Sequence, residues 1–214
     1  MIVILLGPPG VGKGTQAKLL ADKYQLRILS TGAILRKAIS TKSDLGLKVK
    51  ESINNGQLVC DRIICSLVEN EIVKNSLSNS YILDGFPRTI NQAKYINLFC
   101  QKNNIFHFYI IILNLARQQI IKRLSSRIFC SFCNQGYNLI TNPMKVSQTC
   151  DICNKNSFYT REDDKQKSID KRLREYYQQT KPLITYYKNY NKYLYLEADT
   201  SITQIHHKIL TFLN

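Results

Sequence analysis

No stretch of this sequence is apolar for long enough to cross a membrane. The longest apolar run, around Tyr109 to Leu113, has the length of a β-strand. The opening MIVILLGPPG is too short for a secretory signal and lacks a basic segment. We therefore expect a cytoplasmic protein with no membrane partner. Acids are scarce too: 15 Asp and Glu stand against 30 Lys and Arg, a formal net charge of +15. Such an excess suits a protein that handles polyanions, nucleotides or nucleic acid among them. Background composition, rich in Lys, Asn, Ile and Tyr, accounts for it equally well. The placement of individual arginines has to decide. Internal repeats and low-complexity tails are also missing.

Disulfides are not expected either. Seven cysteines is an odd number, and no secretory signal precedes them. Cys60, Cys65 and Cys100 fall in helix-like segments and read as small buried hydrophobes. The other four form C-x2-C-x16-C-x2-C: Cys130, Cys133, Cys150 and Cys153. Two such pairs fit a tetrahedral four-sulfur metal site far better than a redox couple.

What is present suits a globular chain. Its 214 residues, 44% hydrophobic and 21% charged, allow one domain, with or without small insertions. MIVILLG is a continuous apolar run, as in a parallel strand covered on both faces. SYILDGF, FHFYIIILN and KYLYLEAD are further runs of this kind, and Leu26–Leu29 is a shorter fifth. Helical periodicity lies between them, over Gly12–Tyr24, Asn91–Lys102, Ala116–Arg127, Gln166–Tyr190 and Ile202–Leu213. Pro182 is expected to break or kink the long one. The alternation predicts an α/β fold, three-layered, on a five-stranded parallel sheet. Two segments interrupt it. About 30–59 is helical without a strand, and about 126–164 is turn-rich and carries the cysteine pairs.

The chemistry concentrates in two motifs. GPPGVGKGT, Gly7 to Thr15, fits G-x-x-x-x-G-K between a strand and a helix. Its backbone N–H groups and helix N-terminus suit phosphate oxygens, and Lys13 can reach the β- and γ-phosphates. The hydroxyl that usually follows the lysine is displaced by Gly14 to Thr15. LDGFPRT, Leu83 to Thr89, ends a strand at Asp84, where a carboxylate can hold Mg²⁺ or its waters. Arg88 follows behind a turn containing Gly85 and Pro87. His107 reads as a strand residue, His206 and His207 as helix-surface residues. No Ser, Cys or His is placed as a nucleophile.

Six motifs in order, GPPGVGKGT, STGAILR, NNGQLV, LDGFPRT, TREDD and DKRLREY, resemble the adenylate kinase family over essentially the whole chain. The long-lid branch with a zinc-containing lid is the best match. The resemblance implies a core of 1–29, 60–125 and 165–214, an NMP-binding insertion at 30–59 and a zinc-bound lid at 126–164. It implies ATP, AMP and ADP as substrates, Mg²⁺ with ATP, structural Zn²⁺ on the four cysteines, and a monomer. Thr31, Gly32, Arg36, Gln57, Leu58, Val59, Gly85, Phe86, Pro87, Arg88 and Gln92 would form the AMP site. Gly10, Val11, Gly12, Lys13, Gly14, Thr15, Arg127, Gly136, Tyr137 and Thr200 would hold ATP. Lys13, Asp84, Arg88, Arg123, Arg161 and Arg172 would serve the transfer, with Arg161 and Arg172 also meeting substrate. Arg123 and Arg127 are expected on one helix face, Arg127 over ATP and Arg123 at the transferring phosphoryl.

Two departures stand out. Ala33 replaces the Asp usual after STG, which leaves Asp84 with a larger share of Mg²⁺ handling. Asn134 and Asn154 follow the cysteine pairs where Gly is common, and Asn tolerates the left-handed backbone such a knuckle requires. A kinase for UMP or CMP is the nearest alternative, but Thr31, Gln92 and a long lid favour AMP. A P-loop protein binding nucleic acid through a zinc ribbon is the other. Against it, Arg127, Lys145, Lys155 and Arg161 are balanced by Asp151, Glu162, Asp163 and Asp164. A phosphate-tracking surface would be clearly positive.

Overall fold

A computed structural model describes residues 1–76, 80–105 and 107–214. Phe106, the expected start of the third apolar run, lies outside the described residues. Strand β1 (Ile2–Leu6) leads to α1 (Lys13–Tyr24), β2 (Arg27–Ser30), α2 (Thr31–Ser40), α3 (Asp44–Asn54) and α4 (Asp61–Lys74). Next come β3 (Tyr81–Asp84), α5 (Ile90–Lys102), β4 (Phe108–Asn114) and α6 (Arg117–Ser125). Strands β5 (Arg127–Cys130), β6 (Gly136–Asn138) and β7 (Phe158–Tyr159) follow. After them come α7 (Gln166–Glu175), α8 (Pro182–Tyr187), β8 (Tyr193–Glu197) and α9 (Ile202–Leu213).

Five strands form one parallel sheet, ordered β2-β3-β1-β4-β8. Every residue of β1 is buried, because successive side chains point to opposite faces and both faces are covered. Ile2, Ile4 and Leu6 join Leu83, Ile110 and Ile112 on one face. Val3 and Leu5 join Ile82, Ile111 and Leu113 on the other. The chain leaves central β1 toward one side of the sheet, and β4 and β8 lie on the other. A crevice therefore opens beyond the C-terminal ends of β1 and β3, where parallel sheets bind ligands.

The 30–59 segment is the helix pair α2–α3. Gly46 lets them approach closely, since a Cβ there would lie 2.0 Å from the Ala38 carbonyl oxygen. The cysteine segment contains a feature the sequence did not announce, an antiparallel sheet ordered β6-β5-β7.

Two expectations need correction, and a third, the break at Pro182, is met in a particular form. Helix α6 stops at Ser125, and Arg127 opens β5. The Ser125 and Ser126 hydroxyls donate to the carbonyls of Ile121 and Lys122, closing the helix before the β-favouring Ile128 and Phe129. Arg123 and Arg127 therefore do not share a helix face. The break before Pro182 takes the form of a π-turn over Tyr176–Thr180, closed by a bond from Lys181 N to Tyr176 O at 2.8 Å. Pro182, which has no N–H to give, then starts α8. Cys65 and Cys100 are buried as expected, but Cys60 is exposed ahead of α4.

Candidate active site

The P-loop follows β1. Gly7 has φ +143°, and a Cβ there would lie 2.2 Å from the Leu113 carbonyl oxygen, so the turn is pressed against the end of β4. Gly12, with φ +114°, precedes α1, and a Cβ there would meet nothing within 4 Å. That open space adjoins the N-terminus of α1, where an anion is favoured. Lys13 folds back to donate to the carbonyls of Gly7 and Pro8 at 2.7 and 2.8 Å. Burial pulls its ammonium down to about 7, Asp84 opposes this, and Arg88, Arg172 and Arg127 add to it.

Asp84 pairs with Leu5 across the β1–β3 ladder and with Ser30 across β2–β3. One carboxylate oxygen accepts from the Ser30 hydroxyl at 3.3 Å and lies 3.7 Å from where a Gly14 Cβ would stand. The carboxylate thus faces the P-loop with lone pairs to spare, as a group that holds a hydrated cation requires. Ala33 is exposed on α2. Thr15 is exposed on α1.

A second cavity lies between α2–α3 and the sheet. Thr31, Gly32, Arg36, Gln57, Leu58, Val59, Gly85, Arg88, Gln92 and Arg172, all singled out from sequence, line it. Phe86 is fully buried beneath it and joins Pro87 through a cis bond. Arg88 Nε donates to the Gly85 carbonyl at 2.9 Å. Burial, then neighbouring Arg172, pushes Arg88 down to about 10.

Three lid-side arginines gather around one carboxylate pair. Arg127 makes a two-pronged bond to Asp164 at 2.8 and 2.5 Å. Arg172 reaches Asp164 at 2.6 Å and Asp163 at 3.1 Å. Arg161 stacks on the Phe129 ring at 3.6 Å, and its buried Nε has no hydrogen-bond partner among the described residues. Burial, then Arg36 and Arg127, pushes Arg161 down to about 9. Burial works against the Asp163 carboxylate, yet Arg172, Arg36, Arg127 and Arg161 hold its pKa below the usual range. Asp163 and Asp164 stood in the TREDD motif without a role. Their signal, two acids beside an arginine in a basic chain, was there to be read.

Lys13, Arg36, Arg88, Arg127, Arg161 and Arg172 thus influence one another electrostatically. Arg123 does not join them. It donates to the carbonyls of Val11 at 3.2 Å and Ala198 at 2.9 Å, beside Asp199 and Thr200. Burial lowers its pKa, and Asp199 opposes the shift. Gly10 backs onto Leu124, and Val11 is buried.

The four cysteine sulfurs all lie within 4.8 Å of one another. Cys130–Cys153 and Cys133–Cys150 are each 3.5 Å apart. Sulfurs at about 2.3 Å from one tetrahedral Zn²⁺ stand roughly 3.8 Å apart, so the set fits such an ion. Asn134 and Asn154 both adopt φ 57°, as the knuckle turns require. The Tyr137 hydroxyl is engaged here, 3.3 Å from the Cys150 sulfur and accepting from Asp151 N at 2.8 Å. Its side chain belongs to the lid interior, and its backbone and that of Gly136 lie in the ladder with β5. Lys18 of α1 donates to Gln135 of the lid at 2.7 Å.

A P-loop, a carboxylate at the neighbouring strand end and a separate arginine-lined cavity, bridged by clustered cations, define a nucleotide phosphotransferase of the P-loop class. A family model of adenylate kinase matches residues 5–192. An adenylate kinase of Thermosipho africanus is 38% identical over 213 residues, covering 100% of this chain and 99% of the relative. One from Geotalea uraniireducens is 39% identical over 215 residues, covering 100% and 98%. One from Fervidobacterium nodosum is 40% identical over 205 residues, covering 96% and 94%. The chain belongs to the adenylate kinase family, enzymes that are nucleoside monophosphate phosphotransferases. Among the described residues, no helix is long and apolar enough to cross a membrane.

Proposed function

We propose that the protein catalyses reversible, Mg²⁺-dependent phosphoryl transfer between ATP and AMP, giving two ADP, by direct in-line displacement. The observation that carries this reading is the six-cation cluster between the P-loop and the second cavity. Three carboxylates, Asp84, Asp163 and Asp164, do not neutralise it. Transferring phosphoryl oxygens supply the missing negative charge, and fixed cations stabilise them most where water is excluded.

Lys13 exchanges its contacts with the Gly7 and Pro8 carbonyls for the β- and γ-phosphates of ATP. The backbone of Gly10 to Thr15 cradles those phosphates, as helix N-termini do. Arg36 and Arg88 hold the α-phosphate of AMP in the second cavity, with Thr31, Gly32, Gln57–Val59, Gly85 and Gln92 around its nucleoside. Arg161 and Arg172 meet the transferring group from the lid side. We assign Arg127 to the same group, because it sits with Arg172 on Asp164. Arg123 goes to the ATP base end, because it bonds Ala198 beside Thr200. This exchanges the roles that the sequence suggested for the two arginines. Asp84 is the residue placed to hold Mg²⁺, which when bound neutralises phosphate charge and orients the phosphates. No protein nucleophile is involved, and lid closure over both substrates keeps water from acting as acceptor.

The division into core (1–29, 60–125, 165–214), NMP-binding insertion (30–59) and lid (126–164) is part of the proposal. So are a Zn²⁺ held by Cys130, Cys133, Cys150 and Cys153, a monomeric state and a cytoplasmic location. A nucleic-acid partner is not proposed, since the lid's charges balance. The test is ADP formation from ATP with AMP, CMP, UMP or GMP side by side. AMP is expected to be the preferred acceptor, and faster turnover of CMP or UMP would overturn the reading. In the same assay, Ala33→Asp should lower the half-saturating Mg²⁺ concentration. An unchanged value would remove Ala33 from metal handling.

A further inference from the structure

Asp61, the first residue of α4, had no place in the site read from sequence. Its carboxylate accepts from Gln92 Nε2 at 2.7 Å and from the Thr89 hydroxyl at 2.8 Å. Gln92 Oε1 in turn accepts from Arg88 N at 2.7 Å. Gln92 is only 2% exposed and lines the second cavity.

These partners permit one amide orientation. An ionised carboxylate only accepts, so the amide nitrogen must face Asp61. A backbone N–H only donates, so the amide oxygen must face Arg88. One N–H and one lone pair of the Gln92 amide remain. Adenine offers the matching order, a ring N1 that accepts and a 6-amino group that donates. A 6-oxopurine offers the reverse, a ring N–H and an oxygen. To meet it, the Gln92 amide would have to turn over. It would then set its oxygen against the Asp61 carboxylate and its NH₂ against Arg88 N–H. Unmaking buried polar pairs in this way is what gives hydrogen-bonding sites their high selectivity.

We infer that Asp61 is a specificity-determining positioning residue, which locks the Gln92 amide in the orientation that reads a 6-aminopurine and rejects a 6-oxopurine. This rests on the assignment of AMP to the second cavity. Asp61→Asn replaces a pure acceptor with a group that also donates, so a turned Gln92 amide regains a partner there.

The experiment measures kcat and KM for AMP and for IMP, and equilibrium binding of both by calorimetry, in wild type and Asp61→Asn. The ratio of kcat/KM for AMP over IMP should fall about tenfold or more. The loss should fall on AMP affinity and on the ratio rather than on kcat. Thr89→Val removes the other bond to the same carboxylate. It should cost stability with little change in the ratio, whereas a merely structural Asp61 would behave in the same way. If Asp61→Asn does not fold, Asp61→Ser, whose hydroxyl both donates and accepts, is read identically. A folded variant with the wild-type ratio overturns the role of Asp61. A wild type that does not prefer AMP overturns the underlying reading instead.

Discussion

The helix pair α2–α3 and the lid flank one cleft, but their buried residues go to different places. Leu35 and Val49 of the helix pair belong to the same apolar cluster as Ile2, Ile4 and Leu83 of the central sheet. The lid's Cys130, Tyr137 and Cys150 form a small cluster of their own. Several lid hydrophobics lie in solvent, with Phe132 63% and Ile152 67% exposed. One insertion is thus an extension of the core. The other, at about 40 residues, is near the size that cannot bury enough apolar surface to fold alone. The Zn²⁺ proposed for its four sulfurs would supply what that core lacks, since a structural Zn²⁺ brings about 10–16 kcal/mol of apparent binding energy in isolated peptides.

Metal removal should break the comparison most visibly. Chelation is expected to abolish amide protection across Arg127–Tyr159 while leaving α2–α3 protected. Without a rigid lid, Arg161 and the Asp163–Asp164 pair are no longer delivered together. Turnover should then fall at least about a hundredfold, as when a transition-state charge partner is lost. AMP affinity should change far less. Hydrogen exchange with metal content measured in parallel checks this. Full turnover by protein shown to be metal-free would make the cluster a stabiliser and nothing more.

The same contrast explains what the sequence disclosed. Apolar runs bounded by turn residues announced all five sheet strands, because buried parallel strands leave a continuous pattern. The P-loop, Asp84 and the four cysteines were legible because phosphate and metal chemistry fix both residue type and spacing, whereas the cavity residues came from the family resemblance of their motifs. Lid strands β5, β6 and β7 were not, since short strands around a metal carry little apolar periodicity. The end of α6 was missed because Ser125 and Ser126 close it through their own hydroxyls, a local competition that helical spacing does not reveal. Asp61 carried no such signal, and Asp163 and Asp164 carried only that of two acids beside an arginine. Their roles come from partners 31, 9 and 37 positions away, Gln92, Arg172 and Arg127.

A core substitution in the helix pair should spread where metal loss stays local. Val49 is 2% exposed and does not line the cavity. Val49→Ala should cost about 1.5–3 kcal/mol. Because Val49 shares the main core, the thermal midpoint of the whole chain should drop, by roughly 2–4 °C per kcal/mol. Zn²⁺ affinity should stay at its wild-type value. A separate low-temperature transition confined to α2–α3 would show that this insertion is as independent as the lid.

The smallest effect separates the two knuckles within the lid. Asn134 and Asn154 share φ 57°, a conformation costing roughly 1–2 kcal/mol for most L-residues. Glycine relieves that cost, so Asn154→Gly, which loses no side-chain hydrogen bond among the described residues, should be neutral or slightly stabilising. Asn134 differs, because its side-chain oxygen accepts from the Tyr159 hydroxyl at 2.8 Å, tying the first knuckle to β7. Asn134→Gly gives up that bond, worth about 0.5–1.5 kcal/mol, and offsets the relief. Competition with a metal chelator should therefore rank Zn²⁺ retention as Asn154→Gly at or above wild type and Asn134→Gly below it, within about tenfold. Equal retention by both variants would mean that the Tyr159 bond adds nothing, and that backbone conformation alone sets the strength of each knuckle.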